Sequence, residues 1–306
     1  MWIKKGLVFQ PNKNLSWQHS HAALPTVLFL SDNIIRVYFT SRDKSQKTYV
    51  GFFDAEITED GISKICHRSV IPIVSHGDMG YFDSQGVQCT SVVRHNKEIY
   101  MYYLGWNIGI PSPIFYTSIG LAISKDGGKT FNKYSKAPIM ERSRFDPWMV
   151  SGGTILIDKG IWKMWYISGI SINVISGKAY SKYDIKYAES KDGINWIRNG
   201  IVAFPLGENE SNISRVSIIF EDSIYKAWFP VHKKNEFGYC MGYAESEDGI
   251  NWQRNDSKYT IEYSKNGWDS KSIDKMQVFS FRKKKIMLYN GNNFGLEGIG
   301  CAIYSQ

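Results

Sequence analysis

Acidic residues stand just ahead of several predicted strands, and their type and repetition suggest acid–base chemistry. Asp83, Asp146 and Asp269 occupy corresponding positions along the chain, and Glu210 precedes a further strand. Carboxyl groups held close together shift one another's pKa, so one can stay protonated as a general acid while another serves as base or nucleophile. Cleavage of a glycosidic bond requires such a pair. The sequence therefore predicts Asp146, Glu210 and Asp83 as catalytic residues.

A second set of residues could bind the substrate of such a reaction. Aromatic rings can stack on sugars, although packing between strands explains the tryptophans equally well. An aspartate ahead of a strand can also simply accept hydrogen bonds from turn amides, and a lone histidine is more often structural than catalytic. The predicted binding residues are His19, His21, Arg42, Arg144, Arg215, Trp106, Trp148 and Asp269.

The elements that must position these residues follow a repeat. A strand like residues 35–39 occurs five times, with Val37, Met101, Met164, Ala227 and Met287 at the centres. These centres are 64, 63, 63 and 60 positions apart, and a fixed period of this length is typical of repeat folds. One repeat has room for about four short strands, which make one blade of a β-propeller. We predict an all-β, five-bladed β-propeller with four antiparallel strands per blade.

The predicted propeller is a single domain over residues 1–306, and its geometry would gather the candidate residues. The blades cover residues at about 17–80, 81–143, 144–206, 207–265 and 266–306. The N-terminal strand within residues 1–14 completes the last blade and closes the ring, which removes an exposed sheet edge. Innermost strands converge on a propeller's axis, so the residues at their starts would face one funnel. Excursions at 105–117 and 170–182 are candidate rim loops.

A Ser-x-Asp-Gly segment occurs three times and predicts tight turns, because Asp-Gly supplies the positive φ angles of a short hairpin. The segments begin at Ser124, Ser190 and Ser246. We expect the aromatic residue after each turn to pack between blades. The first segment resembles the Asp-box of sialidases, which is itself a structural turn and does not establish sialidase chemistry.

Composition narrows the partners and the compartment. The net charge of +8 favours anionic partners, such as phosphorylated or nucleotide-linked sugars or a membrane surface, and no basic-aromatic stripe indicates nucleic-acid binding. The four cysteines are scattered without a CxxC spacing, which predicts free thiols rather than a zinc site or disulfides. No apolar leader or long apolar run occurs. We expect a cytoplasmic protein without a membrane span, cofactor or metal, and the oligomeric state stays open.

Taken together, the repeat and its motifs resemble the five-bladed β-propeller glycosidases, which include invertases, levansucrases, arabinanases, xylosidases and mannoside phosphorylases (glycoside hydrolase families 32, 68, 43 and 130). Residues 144–147, Arg-Phe-Asp-Pro, look like the family's Arg-Asp-Pro element with one residue inserted. The resemblance implies that Asp146 orients the substrate and that Glu210 is the general acid. The Tyr-Ala-Glu-Ser-x-Asp-Gly-Ile-Asn-Trp endings are similar to those of propeller proteins encoded with bacterial surface-polysaccharide genes.

One departure from the family concerns residues 17–25, Trp-Gln-His-Ser-His-Ala-Ala-Leu-Pro, which hold no carboxylate where the hydrolases place their base or nucleophile. Asp83 or His21 could replace it. Alternatively phosphate attacks directly, as in the family's phosphorolytic members. The anion contacts would then be His19, His21, Arg42 and Arg215.

The sequence thus predicts a carbohydrate-active enzyme that cleaves or transfers a glycosyl unit in the central funnel. A first alternative is a glycosyltransferase or phosphorylase that uses a phosphorylated sugar donor in surface-glycan biosynthesis. A second alternative, from a different class of protein, is a non-catalytic propeller that binds glycans.

Overall fold

The computed structural model describes residues 1–109, 115–175 and 178–305, and β-strands make up most of them. Strand β1 (Trp2–Phe9) opens the chain, and a 3-10 turn follows at Ser16–Gln18. A short helical turn, α1 (Asn292–Gly295), lies near the C-terminus. The all-β class predicted from the sequence is confirmed.

Most of the other strands form antiparallel groups of four that follow one another along the chain. Group one contains β2 (Ser20–Phe29), β3 (Ile34–Arg42), β4 (Thr48–Thr58) and β5 (Gly61–Arg68). Group two contains β6 (Gly86–His95), β7 (Glu98–Ile108), β8 (Phe115–Ser124) and β9 (Asn132–Lys133). Group three contains β10 (Val150–Asp158), β11 (Ile161–Ile175), β12 (Lys178–Ser190) and β13 (Ile197–Phe204).

The last two groups vary this plan. Strand β14 (Glu210–Ile213) precedes group four, which contains β15 (Ser217–Glu221), β16 (Ile224–Lys233), β17 (Cys240–Ser246) and β18 (Gln253–Arg254). Group five contains β19 (Asp274–Phe281), β20 (Lys284–Asn290), β21 (Ile299–Tyr304) and the N-terminal strand β1. The first strand of the chain therefore adds an edge to the sheet of the last strands, which covers the edge of β21.

The apolar core lies between neighbouring groups. Five clusters of buried apolar side chains are found in the described part of the chain, and each combines residues of two groups. Phe39 of group one and Phe279 of group five, for example, share one cluster. The first strands contact one another in the order β2, β6, β10, β15 and β19, and β19 contacts β2. Residues at the ends of these strands are thereby brought close to one another.

The Ser-x-Asp-Gly segments form turns that their own side chains stabilise. The Ser190 hydroxyl oxygen accepts a hydrogen bond from the Gly193 amide at 2.9 Å, and the Asp192 carboxylate accepts bonds from two further turn amides. These amide hydrogen bonds hold the pKa of Asp192 well below its usual range. The following aromatic residue, Trp196, lies against Tyr102 of the preceding group. The other two segments repeat this arrangement, so their predicted structural role is confirmed.

Candidate active site

A cavity of about 550 Å³ opens where the strand groups converge. In every group the connection between its second and third strands, or a residue beside it, contributes to the wall. These residues are Arg42, Gln46, Trp106, Phe115, Ser181, Tyr239 and Phe294. The starts of the inner strands add further lining residues, which include His21, Gln88, Ser151, Ser214 and Lys275. Residues far apart in the sequence therefore meet in one site.

Unusual backbone conformations concentrate at this cavity. Five of its lining residues that are not glycine have positive φ angles: His21 (65°), Leu24 (56°), Gln46 (65°), Lys275 (49°) and Phe294 (59°). Such conformations cost of order 1–3 kcal/mol each and are found most often at functional sites. In β2 and β19 they coincide with register irregularities, which redirect side chains. This concentration of strained residues supports the cavity as the candidate functional site, without use of any sequence motif.

Basic side chains determine the charge of the cavity. Of the lining residues that the structure describes, Arg42, Lys275 and His21 are basic and none is an aspartate or glutamate. The Arg42 guanidinium donates a long hydrogen bond of 3.3 Å to a glutamine oxygen of the same loop, and the Lys275 ammonium donates to Ser214 Oγ at 2.7 Å. Burial lowers the pKa of Arg42 because its cation loses hydration. An anion placed here would replace that hydration.

A buried carboxylate lies behind Lys275 without lining the cavity. Asp274 is fully buried, and its Oδ2 is 3.8 Å from Lys275 Nζ. Burial raises the pKa of Asp274, although Lys275 opposes the shift. This aspartate therefore offsets only part of the positive charge that Lys275 presents to the cavity.

His21 adds a neutral ring rather than a charge. Burial, followed by the positive charge of Arg42, lowers the pKa of His21 to about 4. Its Nδ1 lies 2.9 Å from Ser20 Oγ. At neutral pH the imidazole can therefore exchange hydrogen bonds with a ligand but cannot neutralise one.

The His21→Asn variant should reveal this shift as a change in the pH dependence of stability. Asparagine suits the positive φ angle at this position. Because folding lowers the pKa of His21, the unfolded chain binds a proton below pH 6.5 that the folded protein does not bind. The free energy of unfolding of the wild type therefore falls as the pH is lowered from 6.5 towards about 4. Urea unfolding near pH 7 and near pH 5 should show the wild type losing about 2 kcal/mol more than the variant. An equal loss in both proteins would contradict the assignment.

Apolar and hydroxyl-bearing side chains complete the wall. The Trp106 indole donates to Thr48 Oγ1 at 2.9 Å, which fixes the ring, and Phe115 lies edge-on to it with a centroid distance of 6.4 Å. The hydroxyl groups of Tyr183 and Tyr239 are 2.6 Å apart. A fixed aromatic surface beside hydroxyl groups suits a ligand with both an apolar face and polar edges, such as a sugar ring.

The carboxylates predicted as catalytic are not part of this wall. Asp146 is completely buried and accepts hydrogen bonds from the hydroxyl groups of Tyr166 (3.1 Å) and Ser168 (2.8 Å). It also pairs with Arg198 at 3.0 Å and Lys186 at 3.4 Å. Both of its oxygens are therefore occupied within the protein.

The corresponding aspartates of groups two and five have the same surroundings. Asp83 lies 2.5 Å from the Lys133 ammonium, and Asp269 lies 2.7 Å from that of Lys4. Each also accepts a hydrogen bond from a tyrosine hydroxyl of the second strand of its group. The lysine comes from the fourth strand of the group in both cases. These repeated contacts tie the outer strand to the start of the inner strand.

Glu210 is engaged in an equivalent way. Arg254 donates to its two carboxylate oxygens at 2.7 and 2.9 Å, and the Gly207 amide donates at 2.7 Å. Burial raises the pKa of Glu210, but the hydrogen bonds from Arg254 and Gly207 outweigh it and lower the pKa below its ordinary value. An ionised glutamate is a poor proton donor at neutral pH.

The expectation that these four acidic residues face one funnel is thus corrected. Asp83, Asp146, Glu210 and Asp269 are held by cations of the outer strands and do not line the cavity. Spacing along the chain placed them at strand starts correctly, but it could not indicate which cation each one would meet. The predicted catalytic role of the first three stays a prediction.

Arg215 requires a similar correction. It is buried, and its guanidinium donates to the carbonyl oxygens of Pro25 (3.0 Å), Thr90 (2.9 Å) and Met276 (3.1 Å) and to the hydroxyl of Thr26 (2.9 Å). These acceptors belong to the inner strands of groups one, two and five. Arg215 therefore joins the inner strands beneath the cavity instead of contacting an anion inside it.

Of the predicted binding residues, the structure brings His21, Arg42 and Trp106 together in the cavity wall. His19 is exposed beside it and lines a separate depression. Arg144 is exposed and lies over its neighbour's ring at 4.7 Å. The Trp148 ring packs against the core between groups three and four. Packing between strands, the alternative to sugar stacking, therefore describes this residue.

Sequence reasoning missed several lining residues. Lys275 follows Asp274 at an inner-strand start and could have been noticed there, and Phe115 lies in the predicted rim loop at 105–117, whereas Tyr183 and Tyr239 carry no signal in the sequence. The predicted rim loops are extensions of the β7–β8 and β11–β12 hairpins. Their residues 110–114 and 176–177 lie outside the described part of the chain.

Three further properties bear on the sequence expectations. All four cysteines are free, as their scattered spacing predicts; Cys66 is exposed, whereas Cys89 and Cys301 are buried. Within residues 1–109, 115–175 and 178–305, no group of three or more potential ligands could hold a metal ion. No helix in these ranges has the length and apolar character needed to cross a membrane.

The fold is that of the propeller glycosidases. A glycosyl hydrolase from Bacteroides ovatus superposes with a TM-score of 0.72 at 16% identity, over 97% of this protein and 91% of that one. A structure of the GH130 family of mannoside phosphorylases, which contains hydrolases of β-1,2 mannosidic linkages, gives 0.71 at 16% identity over 97% and 91%. A thermostable family-43 glycoside hydrolase gives 0.67 at 16% identity over 97% and 94%. The resemblance found in the sequence is confirmed at the level of fold.

Relatives in sequence identify the family. No protein-family model matches the chain. The uncharacterized protein MT1551 of Mycobacterium tuberculosis (strain CDC 1551 / Oshkosh) is 32% identical over 303 residues, which are 99% of this chain and 98% of that protein. The uncharacterized protein Rv1502 of strain H37Rv has the same identity and coverage. This chain belongs to the family of these two mycobacterial proteins.

Proposed function

We propose that the protein is a carbohydrate-active enzyme in which the anomeric carbon of a sugar is joined to, or released from, a phosphate oxygen in the central cavity. The reaction is phosphorolysis of a glycoside or glycosyl transfer from a phosphorylated or nucleotide-linked donor. The observation that carries the proposal is a cavity whose described lining contains Arg42 and Lys275 but no carboxylate.

The scaffold of this proposal is a closed five-bladed propeller. The five strand groups, each with antiparallel neighbours, correspond to the blades, and the contact of β19 with β2 supports closure of the ring. Five inter-group core clusters support the same count. The cavity then occupies the mouth of the central channel, where propellers commonly bind ligands.

The chemistry fits the charges of the cavity. In transfer, the bond between the anomeric carbon and a phosphate oxygen breaks, and the acceptor hydroxyl bonds to that carbon and gives its proton to the departing phosphate. In phosphorolysis, the phosphate oxygen attacks and the leaving alkoxide takes the proton from phosphate. Neither direction needs a protein carboxylate as acid, and both place negative charge beside Arg42 and Lys275, which would stabilise it.

Hydrolysis by a carboxylate pair has weaker support. It requires two carboxyl groups that flank the scissile bond, one of them protonated. The predicted acid Glu210 has a lowered pKa and a bidentate arginine partner. Asp146 and Asp83 are each paired with cations. If these three carboxylates moved to act on a substrate, the ion pairs that hold the outer strands would be broken.

The test is a turnover screen with aryl glycosides and short oligosaccharides, each with and without inorganic phosphate, together with nucleotide-linked sugars and an acceptor mixture. The expected result is sugar 1-phosphate formed only with phosphate, or donor consumed only with an acceptor. Sugar release by water alone at the same rate would overturn the proposal. Calorimetric binding of an oligosaccharide without any turnover would favour the glycan-binding alternative.

Arg42→Met should weaken phosphate binding by about 10-fold to 100-fold, since a charge-assisted hydrogen bond contributes about 1.5–3 kcal/mol. The matched control is Lys97→Met, which removes an exposed cation from the opposite end of the strands. Isothermal calorimetry measures the affinity of each variant for inorganic phosphate. Equal affinities in Arg42→Met and wild type would remove Arg42 from the proposed site.

A further inference from the structure

The rim around the cavity mouth carries exposed apolar side chains. Ile108 and Phe115 on the β7–β8 hairpin, Val174 and Tyr180 on the β11–β12 hairpin, and Phe237 before β17 are between 46% and 73% exposed. Isolated exposed apolar residues are ordinary, but a group around one opening indicates an interaction surface. We call these five residues the apolar rim.

The geometry of the hairpins places the outer part of the apolar rim beyond the cavity wall, to which Phe115 itself belongs. Strands β11 and β12 stay paired from Trp162 opposite Ser190 out to Ile175 opposite Lys178. Ser181, which lines the cavity, pairs with Ile172. The remaining residues of the hairpin extend roughly 10 Å further, at about 3.3 Å per residue. Val174 therefore projects past the cavity mouth into solvent.

The charges around the apolar rim have one predominant sign. Segments 105–117 and 170–182 contain no aspartate or glutamate and two lysines. The Arg142 guanidinium lies 5.1 Å from the Tyr116 ring centre, and the Lys271 ammonium lies 5.8 Å from that of Phe237. The acidic neighbour Glu236 is opposite Lys233 at 3.9 Å. Aromatic and basic side chains are thus interleaved on this surface.

We propose that the apolar rim docks on an anionic lipid bilayer. Apolar and aromatic side chains would enter the headgroup region while the surrounding lysines and arginine contact lipid phosphates, a combination typical of interfacial membrane binding. A second copy of this chain fits less well, because two chains of net charge +8 would meet through surfaces of the same sign. In the docked orientation the cavity mouth faces the bilayer surface. This inference goes beyond the proposed reaction and does not depend on it.

Vesicle co-sedimentation tests the proposal without any substrate. The full chain is mixed with phosphatidylcholine vesicles or with vesicles that also contain phosphatidylglycerol. We expect binding to the anionic vesicles that falls as salt is added, and weak binding to the neutral ones. The double variant Val174→Asp, Phe237→Asp should lower the partition coefficient at least about tenfold, because it replaces inserted apolar groups by anions.

The matched control is Phe220→Asp, which makes the same exchange at an exposed phenylalanine of the opposite end, beside the β15–β16 turn. This variant should bind anionic vesicles like the wild type, and circular dichroism should show that all the proteins are folded. No binding by the wild type, or equal losses in both variants, would overturn the proposal. Sedimentation velocity that reveals a dimer disrupted by Phe237→Asp would also overturn it, since a second chain would then cover the apolar rim.

Discussion

Replacing Arg215 by methionine should destabilise the protein by roughly 3–5 kcal/mol, the cost expected when one partner of a buried, charge-assisted network is removed. The guanidinium donates to main-chain carbonyl groups of three strand groups and to one hydroxyl. Methionine fills similar volume but leaves these oxygens without a donor. Equilibrium unfolding in urea should show the loss as a lower midpoint.

The control for Arg215 is Arg144→Met. Arg144 was predicted from sequence to bind substrate as well, but it is exposed and stacks on its neighbour's ring. Its replacement should change the free energy of unfolding by no more than about 0.5 kcal/mol. If Arg215→Met instead kept wild-type stability and lost only ligand binding, the sequence prediction of an anion contact would stand and the structural role would fall.

Asp146→Asn should be the second strongly destabilising change, again by roughly 3–5 kcal/mol, because it removes a completely buried counter-charge from two partly buried cations. The side chain keeps its size, so the effect isolates charge and hydrogen bonding. Arg198 and Lys186 would face a neutral amide, and the amide nitrogen cannot accept bonds from Tyr166 or Ser168. Urea unfolding and the thermal midpoint both report the loss.

Two measurements separate this structural role from the catalytic one that the sequence predicted. Asp222→Asn serves as the control. Its carboxylate is 84% exposed, so its replacement should leave the free energy of unfolding nearly unchanged. In a double-mutant cycle, Arg198→Met should recover part of the Asp146→Asn loss, with a coupling energy of about 0.5–3 kcal/mol. A folded Asp146→Asn protein of normal stability that has lost turnover would restore the catalytic assignment.

The large-scale order of this fold could be derived from the sequence because it repeats. The recurrence of Met101 and Met164 at a constant interval reflects strands that must each bury one face against a neighbour. The turns at Ser124, Ser190 and Ser246 were also predictable, since their chemistry is local and involves residues within four positions of each other. Local rules of this kind apply before any tertiary contact forms.

The composition of the site could be derived only in part. His21, Arg42 and Trp106 were found from residue type and from their place near strand ends. Lys275 and Phe294 reach the cavity because their backbones adopt positive φ angles, and no rule of residue type predicts that for a lysine or a phenylalanine. Tertiary packing imposes these conformations, so they become visible only in the folded chain.

The sequence by itself determined the strand repeat, its turns, the positions of acidic residues at strand starts and the excess of positive charge. The tertiary structure alone decided which cations those acidic residues meet. Asp146 is 52 positions from Arg198 and Asp83 is 50 from Lys133, and such pairs are chosen by which strand lies beside which. Because buried charges must find a counter-charge, that choice pairs the four acidic residues with cations of the outer strands and leaves Arg42 and Lys275 among the residues that line the cavity.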